Sequence, residues 1–303
     1  MAEKLPTYSI IISPKEYNQI MTKQHLYIAS SDNVIKNCIQ KEVKKKHAKE
    51  VVEIGCGPGR VLVKTVRIKG INLSAVDHDP TFINYAKELV KGVHFTVSDI
   101  KKYKHHKPVD VFYSQGMHHH IERGEDVKLY LKNIYNQLKE NGVYIISDEF
   151  LPNYDGEEER AIKATVWYAH IIANALKGNF KYLAQEEAKT YLDDLFESGT
   201  KKKSKTESQI NLVIESVNKI NNTAMKDIEE AELLGKRLLE KLKQGKADEE
   251  TKDKKLKLSR GDYKICDKEF RKTVERVGFK VEEVIRIGPK QDIGALVVYI
   301  LRK

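Results

Sequence analysis

Cysteine is scarce in this sequence: Cys38, Cys56 and Cys266 are the three in 303 residues. No two share a CxxC spacing, which argues against a disulfide framework or a thiolate zinc site and fits a reducing compartment. Long apolar runs are missing as well. Nothing approaches the ~20 residues that span a bilayer, and the N-terminus lacks a signal-peptide core, so a cytoplasmic protein without membrane contact is expected. The helical spacing H-x-x-x-H is absent around His118, His119 and His120, and consecutive side chains point in different directions, so no metal site is expected there or elsewhere.

Charge of one sign is not concentrated either. The net charge is +10, from 54 Lys and Arg against 44 Asp and Glu. Only Lys41 to His47 (KEVKKKH) and Lys101 to Lys107 (KKYKHHK) are local basic runs. A nucleic-acid footprint is a basic face interleaved with aromatics. These runs instead read as solvated helix ends and loops, and nucleic acid is not expected as a partner.

What is present begins at Val51 to Arg60, VVEIGCGPGR. It reads as a buried strand ending in a glycine-rich turn, whose backbone N–H groups can approach a ligand closely. The dinucleotide fingerprint G-x-G-x-x-G is not met, because its third glycine, counted from Gly55, is Arg60. Further strands are expected at Leu73–Val76, ending in Asp77, His78 and Asp79, and at His94–Val97, closed by Ser98, Asp99 and Ile100. Two more follow at Val109–Ser114, leading into Gln115, and at Val143–Ser147, ending in Asp148 and Glu149. Helices are expected between them, at Val61–Lys69, after Pro80 and at Asp126–Leu138. Five strands alternating with helices predict an open α/β sheet with its ligand site at the carboxyl ends of the strands.

The N-terminal residues read as a helical cap. One helix is expected from near Pro14, carrying Tyr17, His25 and Tyr27, and a second to about Lys46 with Ser30, Ser31 or Asp32 as its N-cap. Residues 151–260 leave the alternation and read as helices, with a charged stretch at Ala247–Lys257. From Gly261 a closing helix, a sixth strand and the buried run ALVVYIL (Ala295 to Leu301) resume the fold.

The spacing E-x-G-x-G-x-G from Glu53 to Gly59 resembles motif I of the class I S-adenosylmethionine (SAM) dependent methyltransferases. The residues Asp110, Ser114, Gln115, His119, His120 and Ile121, and the run LKENG-VYIIS-DE, extend that resemblance. It implies a Rossmann-like, seven-stranded methyltransferase sheet, mostly parallel with an antiparallel last strand. Residues 48–150 and 261–303 would form it, 1–47 a cap, and 151–260 an all-helical insertion serving as lid, substrate wall or dimer element.

The resemblance further implies SAM as cofactor. Glu53, Gly55, Cys56 and Gly57 would lie at its methionine end, Asp77 at the ribose, His78, Asp99 and Ile100 at the adenine, and Ser114 and Gln115 beside the sulfonium. His119 is the first candidate for a base, with His118, Asp148 and Glu149 behind it. The N-P-P-aromatic run of amino-methylating nucleic-acid enzymes is absent, as is a Pro-Cys pair for cytosine C5 chemistry. The expected reaction is in-line methyl transfer to a small organic acceptor. An RNA or protein methyltransferase, or a SAM-binding protein whose insertion docks a partner, are the alternatives.

Overall fold

The computed structural model describes residues 9, 12–121, 125–196, 207–244 and 264–303. The Ala247–Lys257 stretch and Gly261 lie outside the described residues.

Two helices lead the chain, α1 (Pro14–Lys23) and α2 (Ile28–Lys46). Ser13 and Glu16 form a capping box at the start of α1, with Pro14 in its first turn. Helix α2 begins earlier than its polar residues suggest. His25 and Tyr27 lie in the turn between the helices rather than within the first one, and Tyr27 takes a left-handed conformation ahead of Ile28. Ser31 and Asp32 are inside α2 and buried. Their side chains reach Ser147 and Arg60, so long-range hydrogen bonds outweigh the local capping preference.

The sheet has seven strands: β1 (Glu50–Ile54), β2 (Asn72–Asp77), β3 (Val93–Val97), β4 (Val109–Gln115), β5 (Leu138–Phe150), β6 (Lys280–Lys290) and β7 (Gly294–Arg302). Their order is β3-β2-β1-β4-β5-β7-β6. The first five are parallel, whereas β7 runs antiparallel to both β5 and β6. Strand order therefore reverses between β1 and β4, the place where open sheets of this kind leave a crevice.

Helices α3 (Leu62–Thr65), α4 (Pro80–Leu89) and α5 (Glu125–Gln137) connect the parallel strands. Helix α3 is a single turn, much shorter than the expected Val61–Lys69. Val61, Val63, Thr65 and Val66 are β-branched and form helix reluctantly. Strand residues alternate between two cores. Val52, Ile54, Phe112 and Tyr144 face one side, with Phe270 and Val274 of α10 (Asp267–Val277); Val51, Val111, Tyr113 and Ile145 face the other, with Ile35 and Ile39 of α2.

Between β5 and α10 come α6 (Glu157–Lys177), α7 (Lys181–Phe196), α8 (Glu207–Ala224) and α9 (Ile228–Gln244). They share a third core that includes Trp167, Tyr168, Tyr191, Val213, Val217 and Leu238. Helix α6 is buried on nearly every side because the other three helices pack around it. Within it Arg160 is buried too, held by the Asp194 carboxylate at 2.6 Å. No helix among the described residues is long and apolar enough to cross a membrane.

Candidate functional site

Strand β1 is buried along its whole length and delivers the chain into the glycine turn. Gly55, Gly57 and Gly59 all have positive φ, at 63°, 50° and 83°, which side chains other than glycine rarely adopt. The Gly57 N–H donates to Asp77 Oδ2 at 2.7 Å, and the Cys56 N–H donates to the Val76 carbonyl at 3.1 Å. The turn is thereby pinned to the carboxyl end of β2. A Cβ on Gly55 would stand 2.4 Å from Met117 Cγ, so the loop after β4 closes against the same turn.

Asp77 is nearly buried, and its Oδ1 accepts from the Asp79 N–H at 2.9 Å. A carboxylate has about four lone-pair sites. Two backbone donors leave it able to accept two more hydrogen bonds. Burial pushes the Asp77 pKa up, opposed by the hydrogen bonds from Asp79 and Gly57 and by His78. His78 is half-exposed, with Nδ1 3.5 Å from Asp77 Oδ1. Asp79 caps α4 by accepting from the Thr81 and Phe82 N–H groups. At the end of β3, Asp99 Oδ1 accepts from the Lys101 N–H at 2.9 Å, and Ile100 is partly buried against the core beside α5.

Ser114 and Gln115 end β4 in different ways. The Ser114 hydroxyl is fully buried and bonded to the Tyr144 hydroxyl at 2.8 Å, so it turns into the sheet. Gln115 is also buried, yet neither its Nε2 nor its Oε1 has a hydrogen-bond partner among the described residues. Leaving a buried amide unsatisfied costs of order 1–3 kcal/mol.

Beneath the glycine turn, Glu53 accepts a hydrogen bond from the Tyr113 hydroxyl at 2.9 Å. Burial pushes its pKa up to about 8, against the pull of Tyr113 and Arg60. Burial also raises the Cys56 thiol well above its usual range, so it is a protonated packing group beside the turn.

The histidine run forms a short 3-10 turn at His118–His120, organised by Asp148 at the end of β5. Asp148 is fully buried; its Oδ2 accepts from the His118 N–H at 2.8 Å, and its Oδ1 meets His119 Nδ1 at 2.5 Å and the Glu149 N–H at 2.9 Å. Burial alone would raise the Asp148 pKa, but His119 and His118 bring it down to about 2. An ionised Asp148 holds the Nδ1–H tautomer of His119, which makes Nε2 the basic nitrogen. His118 faces the core instead. It packs between Phe150 and Phe270, bonds the Tyr130 hydroxyl through Nδ1 at 2.5 Å, and is pushed down by burial to a pKa of about 4.

Other polar residues gather here without any spacing in the sequence to announce them. Asn18 of α1 donates to the Pro58 carbonyl at 3.1 Å, and the Tyr17 ring lies 5.5 Å from that of Phe82, so α1 covers the glycine turn. Arg60 pairs with the buried Asp32 of α2. Glu149 is paired with Lys264 at 2.8 Å, and the Lys264 Nζ also donates to the Tyr168 hydroxyl at 2.9 Å. His25 Nε2 stands 3.6 Å from Glu149. Burial would raise the Glu149 pKa, and Lys264, His119 and His25 lower it instead. The end of β5 is thus enclosed by the α1–α2 turn, helix α6 and the segment before α10.

Comparison with known proteins bears on this arrangement. Residues 51–142 match the sequence family described as "Methyltransferase domain". No curated protein sequence matches the chain. Among solved structures, the N-methyltransferase NodS of Bradyrhizobium japonicum, in complex with S-adenosyl-L-homocysteine, is 8% identical over 96% of this chain and 98% of its own, with a TM-score of 0.46. A sugar N-methyltransferase of Streptoalloteichus is 14% identical, covering 52% of this chain and 60% of its own, at a TM-score of 0.41. A SAM-bound amino pentose methyltransferase of Micromonospora echinaspora is 15% identical, covering 52% and 64%, at 0.39. The chain therefore spans less than two thirds of the length of the last two. The matched segment runs from β1 through the start of β5 and includes the glycine turn, Asp77, Asp99 and Gln115. Residues 51–142 are thus similar in sequence to a methyltransferase domain, and the chain around them folds into the mostly parallel seven-stranded sheet with an antiparallel β7 that the sequence resemblance leads one to expect.

Proposed function

We propose that this protein transfers a methyl group from SAM to a small organic acceptor. The observation that carries the reading is Gln115, a buried amide with neither polar atom satisfied, at the strand end where sheet order reverses. A ligand with polar groups of its own would satisfy it. The glycine turn and the spare acceptor capacity of Asp77 fit an adenosyl ligand at the same crevice.

In this reading the backbone of Gly55, Cys56 and Gly57 lines the methionine end, with Glu53 beneath it. Asp77 accepts from the ribose hydroxyls, and His78, Asp99 and Ile100 border the adenine. Gln115 flanks the sulfonium, and Ser114 acts as a positioning residue through Tyr144. SAM supplies an electrophilic methyl carbon with its leaving group attached, so the protein's task is alignment and exclusion of water. Where the acceptor is a hydroxyl or ammonium, His119 Nε2 takes its proton while Asp148 stabilises the resulting imidazolium. His118 contributes its backbone N–H to Asp148. Glu149, set by Lys264 and His25, borders the acceptor.

The basic runs support a small acceptor over RNA. Lys41 is paired with Glu283 at 3.1 Å and Lys101 with Asp126 at 2.6 Å, while Lys107 stands 3.8 Å from Glu50, so three of their eight lysines are engaged by acids within the chain. Residues 1–47 act as a cap in this reading, and 151–260 as an inserted wall that presents Tyr168 to the end of β5.

Turnover and SAM binding measured on His119→Ala test the assignment. A loss of 10²-fold or more in turnover, with SAM affinity within twofold of wild type, is expected. Equal losses in both would make His119 a structural residue and remove the base from the scheme.

A further inference from the structure

At the opposite edge of the sheet, where the parallel strands begin, a second group of polar side chains converges. Glu50 opens β1, and His105 and His106 lie in the loop between β3 and β4. One ligand atom from each lies within 4.8 Å of the other two. We propose that Glu50, His105 and His106 bind a divalent cation of the zinc type, at a site separate from the methyl-transfer crevice.

His105 carries the argument. Its side chain is 1% exposed, and its Nε2 is buried without a hydrogen-bond partner among the described residues. That nitrogen stands 3.6 Å from Glu50 Oε2. The gap is too long for a hydrogen bond, which closes at about 2.7–3.2 Å. It is close to the separation of about 3.4 Å between two ligand atoms on a tetrahedral ion with bonds of 2.0–2.2 Å.

Each of these two ligands is also held from behind. The Tyr103 hydroxyl meets His105 Nδ1 at 2.9 Å, so an Nδ1–H donated to it leaves Nε2 as the nitrogen with a lone pair. Asn72 donates to Glu50 Oε1 at 2.8 Å, which leaves Oε2 to face His105. The loop itself is fixed by the His105 N–H donating to Gln137 at 2.6 Å.

Lys107, half-exposed with Nζ 3.8 Å from Glu50 Oε1, is the cation that an ion would displace or stand beside. His106 is exposed and its ring centre lies 4.4 Å from that of His105, so it supplies the outer ligand, with water completing the coordination. Borderline-soft ions such as Zn²⁺ favour this nitrogen and carboxylate set over Mg²⁺ or Ca²⁺. Bound there, the ion would tie the β3–β4 loop to the start of β1.

Calorimetric titration of the untagged full chain with Zn²⁺ at pH 7.5 tests the site. One ion per chain is expected, with at least tenfold weaker binding in Glu50→Gln and in His105→Gln and unchanged binding in His94→Gln. At a zinc concentration a hundred times Kd, the wild-type Tm should rise by about 4 °C. His106→Gln alters an exposed side chain and keeps the test decisive if the other two variants fold poorly. SAM affinity should be the same in all variants, so failure here is distinguishable from failure of the proposed function. No zinc binding by the wild type, or equal binding by the Glu50, His105 and His106 variants, overturns the proposal.

Discussion

Replacing Glu53 by Gln should change how stability depends on pH. The Glu53 carboxyl is buried under the glycine turn, and its pKa is pushed from 4.5 to about 8, chiefly by burial. Between those values the folded protein holds a proton that the unfolded chain has released, so this group's stabilising contribution is complete below 4.5 and is lost as pH rises through 8. The difference between the two values corresponds to about 5 kcal/mol once fully developed. Over the span from pH 5 to 7.5 the loss is about 3 kcal/mol, because titration is incomplete at both ends. Gln keeps the size and still accepts from the Tyr113 hydroxyl, but it does not titrate. His25 and His118 act in the opposite sense, since burial pushes both down and their contribution is lost as pH falls below 6.5. They cancel when variant and wild type are compared. Urea unfolding of both proteins at pH 5 and 7.5 should show the variant gaining about 3 kcal/mol on the wild type across that interval. Parallel profiles, differing by less than about 0.5 kcal/mol between the two pH values, would refute the argument.

Two further substitutions probe the crevice. In the proposed reading Asp77→Ala would remove two charge-assisted ribose bonds of about 1.5–3 kcal/mol each and release the Gly57 N–H, so SAM affinity measured by calorimetry should fall at least 100-fold. Undiminished affinity would take Asp77 out of the site. Gly55→Ala places a methyl group against Met117 at a φ of +63°, with a backbone cost of about 1–2 kcal/mol before the contact is counted. Adding Met117→Ala should relieve the contact but not the backbone strain, and a strictly additive double mutant would show that the two residues are not coupled.

The zinc titration and the His119 measurements concern opposite edges of one sheet, joined by a five-residue strand with no titratable side chain between Glu50 and Glu53. The two sites should therefore respond independently.

Much of the fold was legible in local chemistry. The glycine turn and the strand-end acids Asp77 and Asp99 depend on short-range backbone preference and apolar periodicity, both of which are written residue by residue. The five alternating strands, the sixth and the buried final run followed from them, whereas the seven-stranded sheet with its antiparallel last strand was implied by the family resemblance and is what the structure has. Short-range signals misled where a distant partner competed. Ser31 and Asp32 look like caps but are spent on Ser147 and Arg60. His118, one of three adjacent histidines, is claimed by Phe150, Phe270 and Tyr130 and becomes a core residue.

The sequence by itself determined which strands form, in what order they alternate with helices, and which polar residues stand at their carboxyl ends. Only the tertiary structure decided which of those residues meet. Asp148 joins His118 and His119, Lys264 reaches Glu149, and Glu50 faces His105 across 55 residues of chain. Periodicity tells a side chain which face to take. Its partner on that face is set by sheet order and by the burial that makes an unsatisfied polar group costly, and both are properties of the assembled fold.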